Sequence, residues 1–193
     1  MLGACGQPCA VDWLMGVRYF RFKEHFVFGS RKGATWGANG GTNEAYLSDR
    51  ITNDLIGFQM GCDASYHAGC SLRLFASPKF GIYHNRIDNF FQAYRGDGVV
   101  ANPTAGSGRP EAFPVSSAKN VVSCMGQIDV GAEWQFANNW SARIGYRLVA
   151  VTDVGLADEQ IPVYVVDIPE IASIDHNSNL ILHGAFVGLT YNY

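Results

Sequence analysis

Apolar and polar residues alternate one by one through most of this chain, the signature of strands with two unlike faces. In "DLIGFQMGCDASYH", Ile56, Phe58, Met60, Cys62, Ala64 and Tyr66 form one face. Gly57, Gln59, Gly61, Asp63, Ser65 and His67 form the other. The same alternation predicts five more strands, with apolar faces at Val11–Tyr19, Leu72–Ile82, Val122–Phe136, Trp140–Leu148 and Ile181–Tyr193. Each is as long as the roughly 9–11 residues that cross a bilayer at a tilt. "HAGCS" joins strands two and three, and "ANN" joins four and five. The other links are long, at about residues 29–48, 86–119 and 157–178. Strict alternation of short and long links suits an outer-membrane barrel, with short periplasmic turns and long external loops. Pro78 interrupts the third strand, where its missing N–H predicts a bulge or bend.

The two faces then separate by chemistry. Trp13, Tyr66, Trp134, Trp140, Tyr191 and Tyr193 share the apolar parity and lie at the short-turn or terminal ends of their strands. That placement predicts an aromatic girdle at the lipid headgroup level, where rings with one polar edge collect. Arg18, Gln59, Asp63, Arg73, Lys79, Gln127, Asp129, Glu133, Arg143 and Arg147 share the opposite parity and are expected to face a lumen. Five of these are basic and three acidic, a slight bias towards anions. Charges of both signs can line a watery pore or pair to close it. A soluble antiparallel barrel holding an apolar ligand is the alternative. It requires the tryptophan row inside and Arg18, Arg73 and Arg143 outside.

Composition agrees with a β protein that has a large apolar surface. Charged residues are 16% of the 193, with 12 Phe, 9 Tyr, 4 Trp and 22 Gly, against roughly 25% charged in soluble domains. A net charge of −3 gives no basic footprint for nucleic acid. No apolar run reaches the ~18 residues of a membrane helix. The start, "MLGACGQPCA", has neither a basic nor an apolar leader segment, and Leu2-Gly3-Ala4-Cys5 is read as a chance lipidation box. Cys5 and Cys9 could pair in an oxidising compartment, whereas Cys62 and Cys124 read as small apolar residues.

No catalytic, cofactor or metal set emerges. "GDGVVA" at 96–101 runs into Asn102-Pro103 rather than a helix, so it reads as a Gly-rich loop and not a dinucleotide fold. Asp129 and Glu133 share a face but stand about 13 Å apart at ~3.3 Å per residue, too far for a glycosidase pair. His183 has no placed serine partner, and Arg95-Gly96-Asp97 is treated as a chance tripeptide. "IPVYVVDIPEIASIDHNSN" is too apolar for a bare external loop and is expected to fold back on the rim or into the mouth.

"VDWLMGVRYFRF", "FASPKFGIYHNRID", "GQIDVGAEWQFANNWSARIGYRLVAVT" and "LILHGAFVGLTYNY" together resemble the β-barrel porin-7 family of bacterial outer membranes, from about residue 10 to the end. The resemblance implies an outer-membrane barrel and no catalytic residues. It also implies longer relatives with further strands on the N-terminal side. The expectation is therefore an all-β, antiparallel up-and-down transmembrane barrel, or the C-terminal six-strand wall of one, as a single domain over 1–193. Single-chain barrels start at about eight strands, and open edges in lipid cost several kcal/mol per unsatisfied group. Completion by a missing N-terminal segment or another chain is expected. The expected function is a porin-like passive channel or structural surface barrel without enzyme activity or cofactor. Its partners would be outer-membrane lipid, small solutes, and the assembly machinery that reads the terminal strand.

Overall fold

A computed structural model describes residues 9–33, 41–101, 113–164 and 167–191. Its strands are β1 (Cys9–Arg31), β2 (Glu44–His67), β3 (Leu72–Arg95), β4 (Val115–Ala137), β5 (Trp140–Val154) and β6 (Ser178–Tyr191), with one short helix, α1 (Ile168–Ala172). They form one antiparallel sheet in sequence order, and among the described residues β1 pairs only with β2 and β6 only with β5. The sheet is curled into a half-barrel. Arg18 on β1 donates to Gln127 on β4 at 2.7 Å, although three inter-strand spacings of a flat sheet would separate them by about 14 Å.

Strands β1 to β4 are 23 or 24 residues long, about twice a bilayer crossing. The expected loops at 29–48 and 86–119 are therefore shorter than their spacing suggested. β1 and β2 extend to Arg31 and back from Glu44, and β3 and β4 to Arg95 and back from Val115. The physical reason is visible in the alternation, which continues through these segments with its phase reversed. On β2, outward Ile56, Phe58 and Met60 give way to outward Arg50, Thr52 and Asp54, while inward Ile51 and Leu55 become fully buried. On β3, outward Ile82 is followed by Arg86 and Asp88, and inward Ile87 and Phe91 are buried. No residue is inserted at the reversal, since the β1–β2 register is unbroken from Cys9–Tyr66 to Arg31–Glu44. Each strand keeps its faces while its surroundings change places: apolar outside below, apolar inside above.

Pro78 causes no bulge. β2–β3 pairing lapses between Gly61–Lys79 and Ala64–Ala76, but the register is the same on both sides. The lost ladder bond is local because Pro78 still pairs with Ile128 on β4.

Candidate functional site

The convex face carries a continuous apolar belt. Its outward rows run from Ile56 to Tyr66, Leu72 to Ile82, Trp140 to Ala150 and Ile181 to Tyr191, each ten residue steps. Ten steps of ~3.3 Å span about 33 Å along a strand, or about 25 Å in height at a tilt near 40°. Large side chains stand open on it, Trp13 at 84% and Met60 at 57% exposure. That geometry is the reverse of a soluble ligand-binding barrel, which needs these rings inside.

The aromatic row descends across the sheet in unequal steps. Tyr66 pairs with Cys9, four residues before Trp13. On β3 it pairs with Leu74, two residues beyond Leu72, the partner of Trp134. Trp134 in turn pairs with Ala142, two residues beyond Trp140, which faces Tyr191 with ring centroids 5.0 Å apart. The offset is four residues between β1 and β2 and none between β5 and β6. Tyr193 lies outside the described residues, as does Cys5.

The concave face opposite the belt is a ladder of polar contacts. Asp129, only 4% exposed, accepts a bidentate pair from Arg147 at 2.7 and 2.9 Å and a further bond from Gln127 at 3.0 Å. Lys79 approaches it to 3.8 Å. Arg73 bridges Glu133 at 3.3 Å and Asp63 at 3.8 Å, and Ser141 donates to Glu133 at 2.8 Å. Gln59 accepts from the Tyr83 hydroxyl at 3.3 Å. Among the described residues Arg143 forms no ion pair; it lies over the Phe75 ring at 3.9 Å. Phe75 gains that position because Gly131 has no Cβ, which would stand 2.7 Å from the ring. Asp129→Asn strips the acid from two cations, so unfolding in urea is expected to show a loss of about 2 kcal/mol. Gln127→Ala, which leaves both ion pairs, is expected to cost less.

Above the ladder, residues 155–164 and 167–177 turn inward over the concave face. Asn53 clamps Gly155 from both sides, donating to its carbonyl at 2.8 Å and accepting its amide at 3.0 Å. The Ala157 amide donates to Glu24 at 2.8 Å, and Lys119 donates to the Ile174 carbonyl at 3.0 Å. Ala157 and Ile174 pack on Ile51 and Ile87, while Ile168 and Ile171 pack on Phe91, Phe113 and Val115. Asp167 caps α1 by accepting the Glu170 amide. The segment thus folds back into the mouth, one of the two places expected for it, with Ile168, Ile171 and Ile174 buried and Val163 and Tyr164 left exposed.

Beside this cover, Asp49 on β2 is 1% exposed. Burial pushes its carboxyl up to about 7; Glu24 adds in the same direction, while Asn89 and the Arg50 amide oppose. Between the ordinary carboxylate pKa near 4 and 7, the folded protein holds a proton that the unfolded chain has lost. This group's contribution to stability is full below pH 4 and falls as pH rises to 7. Asp49→Asn is therefore expected to exceed the wild type in urea midpoint at pH 8, with the gap narrowing towards pH 5.

The ten inward residues legible in the alternation lie on one concave surface, and eight of them join through Asp129, Glu133 and Gln127. What the alternation hid was the buried apolar rows beneath the inward cover. The reversed phase at Phe20, Phe22 and Phe26, set against Arg21, Lys23 and His25, was the available signal.

A family model described as "Putative beta barrel porin-7" matches residues 2–193. No curated protein and no solved structure matches the chain significantly.

Proposed function

The chain belongs to this β-barrel porin family, and from that premise we propose that it forms the wall of a passive channel for small hydrophilic solutes in a bacterial outer membrane. The observation that carries the reading is the continuous apolar belt on the convex face, backed by a polar concave face. A sheet with lipid outside and water inside needs that pairing of faces, because lipid offers no partner to polar side chains or unpaired backbone. The aromatic row lies at the lower headgroup level, and β1 and β6 are completed by further strands, from an N-terminal segment or another chain.

Arg18, Gln59, Asp63, Arg73, Lys79, Gln127, Asp129, Glu133, Arg143 and Arg147 line the passage. The acids are each shared with cations, so the excess positive charge rests on Arg18 and Arg143 and favours anions modestly. The Gly155–Asn177 segment narrows the outer mouth and limits which solutes pass. Pores of this kind need no cofactor and no catalytic group.

Planar-bilayer recording of the reconstituted protein tests the reading. Discrete small steps are expected from the wild type. Silence from both the wild type and a variant with the inward segment released, with heat-modifiable migration of the folded barrel intact, would leave a purely structural barrel.

A further inference from the structure

Directly above the belt, the outward faces of β1 to β4 carry a lattice of polar side chains. The first row crosses the strands as Arg21, Asp54, Arg86 and Asn120. The second is Lys23, Thr52, Asp88 and Ala118, and the third His25, Arg50, Phe90 and Ser116. Two cations are neutralised within it, Arg21 by Asp54 and Arg86 by Asp88 at 3.1 Å. Neither Lys23 nor Arg50 makes a side-chain hydrogen bond or an ion pair within 4 Å among the described residues, although Lys23 acts at longer range on Asp54. With four cations against two carboxylates, the patch has an excess of two positive charges on a chain whose net charge is −3. Its upper rows form a shallow groove of about 400 Å³, where Arg50, Thr52, Asp88, Phe90 and Ser116 meet.

We infer that this patch binds the phosphorylated sugar headgroup of an outer-leaflet glycolipid. The inference rests on the membrane reading above, which fixes where the patch stands. Arg50 lies six residues beyond Ile56, the top of the belt on β2, which is about 15 Å above the acyl region at 3.3 Å per residue and a tilt near 40°. Phosphates and sugars of an anchored glycolipid occupy that height, with acyl chains on the belt below. The chemistry of the groove, with Lys23 beside it opposite Thr52, matches such a headgroup. Lys23 and Arg50 meet phosphate, Thr52 and Ser116 exchange hydrogen bonds with sugar hydroxyls, Asp88 accepts from them, and Phe90 offers a ring to a sugar face. A purely solvated rim has no reason to leave Lys23 and Arg50 without a close acid beside a groove that holds Phe90.

The test uses the folded protein inserted in phosphatidylcholine vesicles with and without lipid A, and measures lipid A retained per protein after detergent extraction. Each near-surface cation contributes about a fivefold preference for anionic lipid, so K23Q/R50Q is expected to retain about thirtyfold less. F90A is expected to weaken retention without changing its dependence on salt. Equal retention by the wild type and K23Q/R50Q, both inserted and heat-modifiable, would overturn the headgroup site and leave the membrane reading standing. Full displacement by inorganic phosphate would mark a soluble-anion site and overturn the lipid assignment. Failure of the wild type to insert in either vesicle would remove the membrane reading and this inference with it.

Discussion

Met60→Arg is expected to destabilise the bilayer-inserted protein by about 2–4 kcal/mol, because the substitution places a guanidinium near the middle of the lipid-facing belt. Met60 stands four residues from Ile56 and six from Tyr66, the two ends of the outward row on β2, so the arginine cannot easily snorkel to either interface. Thr52→Arg, on the same strand and the same face but above the belt, is expected to change stability by less than about 0.5 kcal/mol. Urea unfolding from vesicles, read by tryptophan fluorescence, compares the two directly. The contrast is decisive because exposure alone predicts no difference. In water an arginine replacing an open methionine is nearly neutral, and if both variants behave alike in vesicles the belt does not face lipid.

The second large effect concerns the inward segment. Replacing residues 158–174 by a short glycine-serine link removes Ile168, Ile171 and Ile174 from the concave face while leaving the ion-pair ladder and the belt untouched. Conductance is expected to rise about threefold or more, since a wider and wetter mouth passes more ions. The deletion also uncovers Ile51, Ile87 and Phe91, so some loss of stability accompanies it. A milder variant guards against misreading that loss. Lys119→Met removes the donor that holds the Ile174 carbonyl and contacts His176 at 3.0 Å. It is expected to leave the barrel intact and to increase the frequency of brief open steps. If the shortened protein inserts normally and conducts as the wild type does, the segment is not what limits the passage.

Both experiments probe the same physical design. A strand that rises from lipid into water must exchange the roles of its faces. The protein does this by reversing the chemistry of alternate positions, not by inserting a bulge. Arg21, Lys23 and His25 continue the outward row begun by Trp13, Met15 and Val17, just as Ile87 and Phe91 continue the inward row that includes Lys79. The part above the belt then has its own apolar core and needs a cover, which the Gly155–Asn177 segment supplies.

The amino-acid alternation by itself determined the six strands, their order of short and long connections, which residues share a face, and the aromatic row. Period two is a local property: successive side chains on a strand point to opposite sides whatever lies beyond them. The family likeness was also legible locally, in runs such as "GQIDVGAEWQFANNWSARIGYRLVAVT". Three things were decided only by tertiary structure. Strands β1 to β4 are about twice as long as the apolar belt, because the reversed alternation from Arg50 to Asp54 and from Arg86 to Asp88 looks like loop until a buried core beneath it is seen. Asp129 collects Arg147, Lys79 and Gln127, which come from three different strands or positions and meet only through register and curl. The anchoring of the inward segment is the third: Asn53 and Glu24, far away in sequence, hold the backbone of Gly155 and Ala157, and Lys119 holds the Ile174 carbonyl. Alternation states which way a residue points; only the folded sheet decides what it meets there.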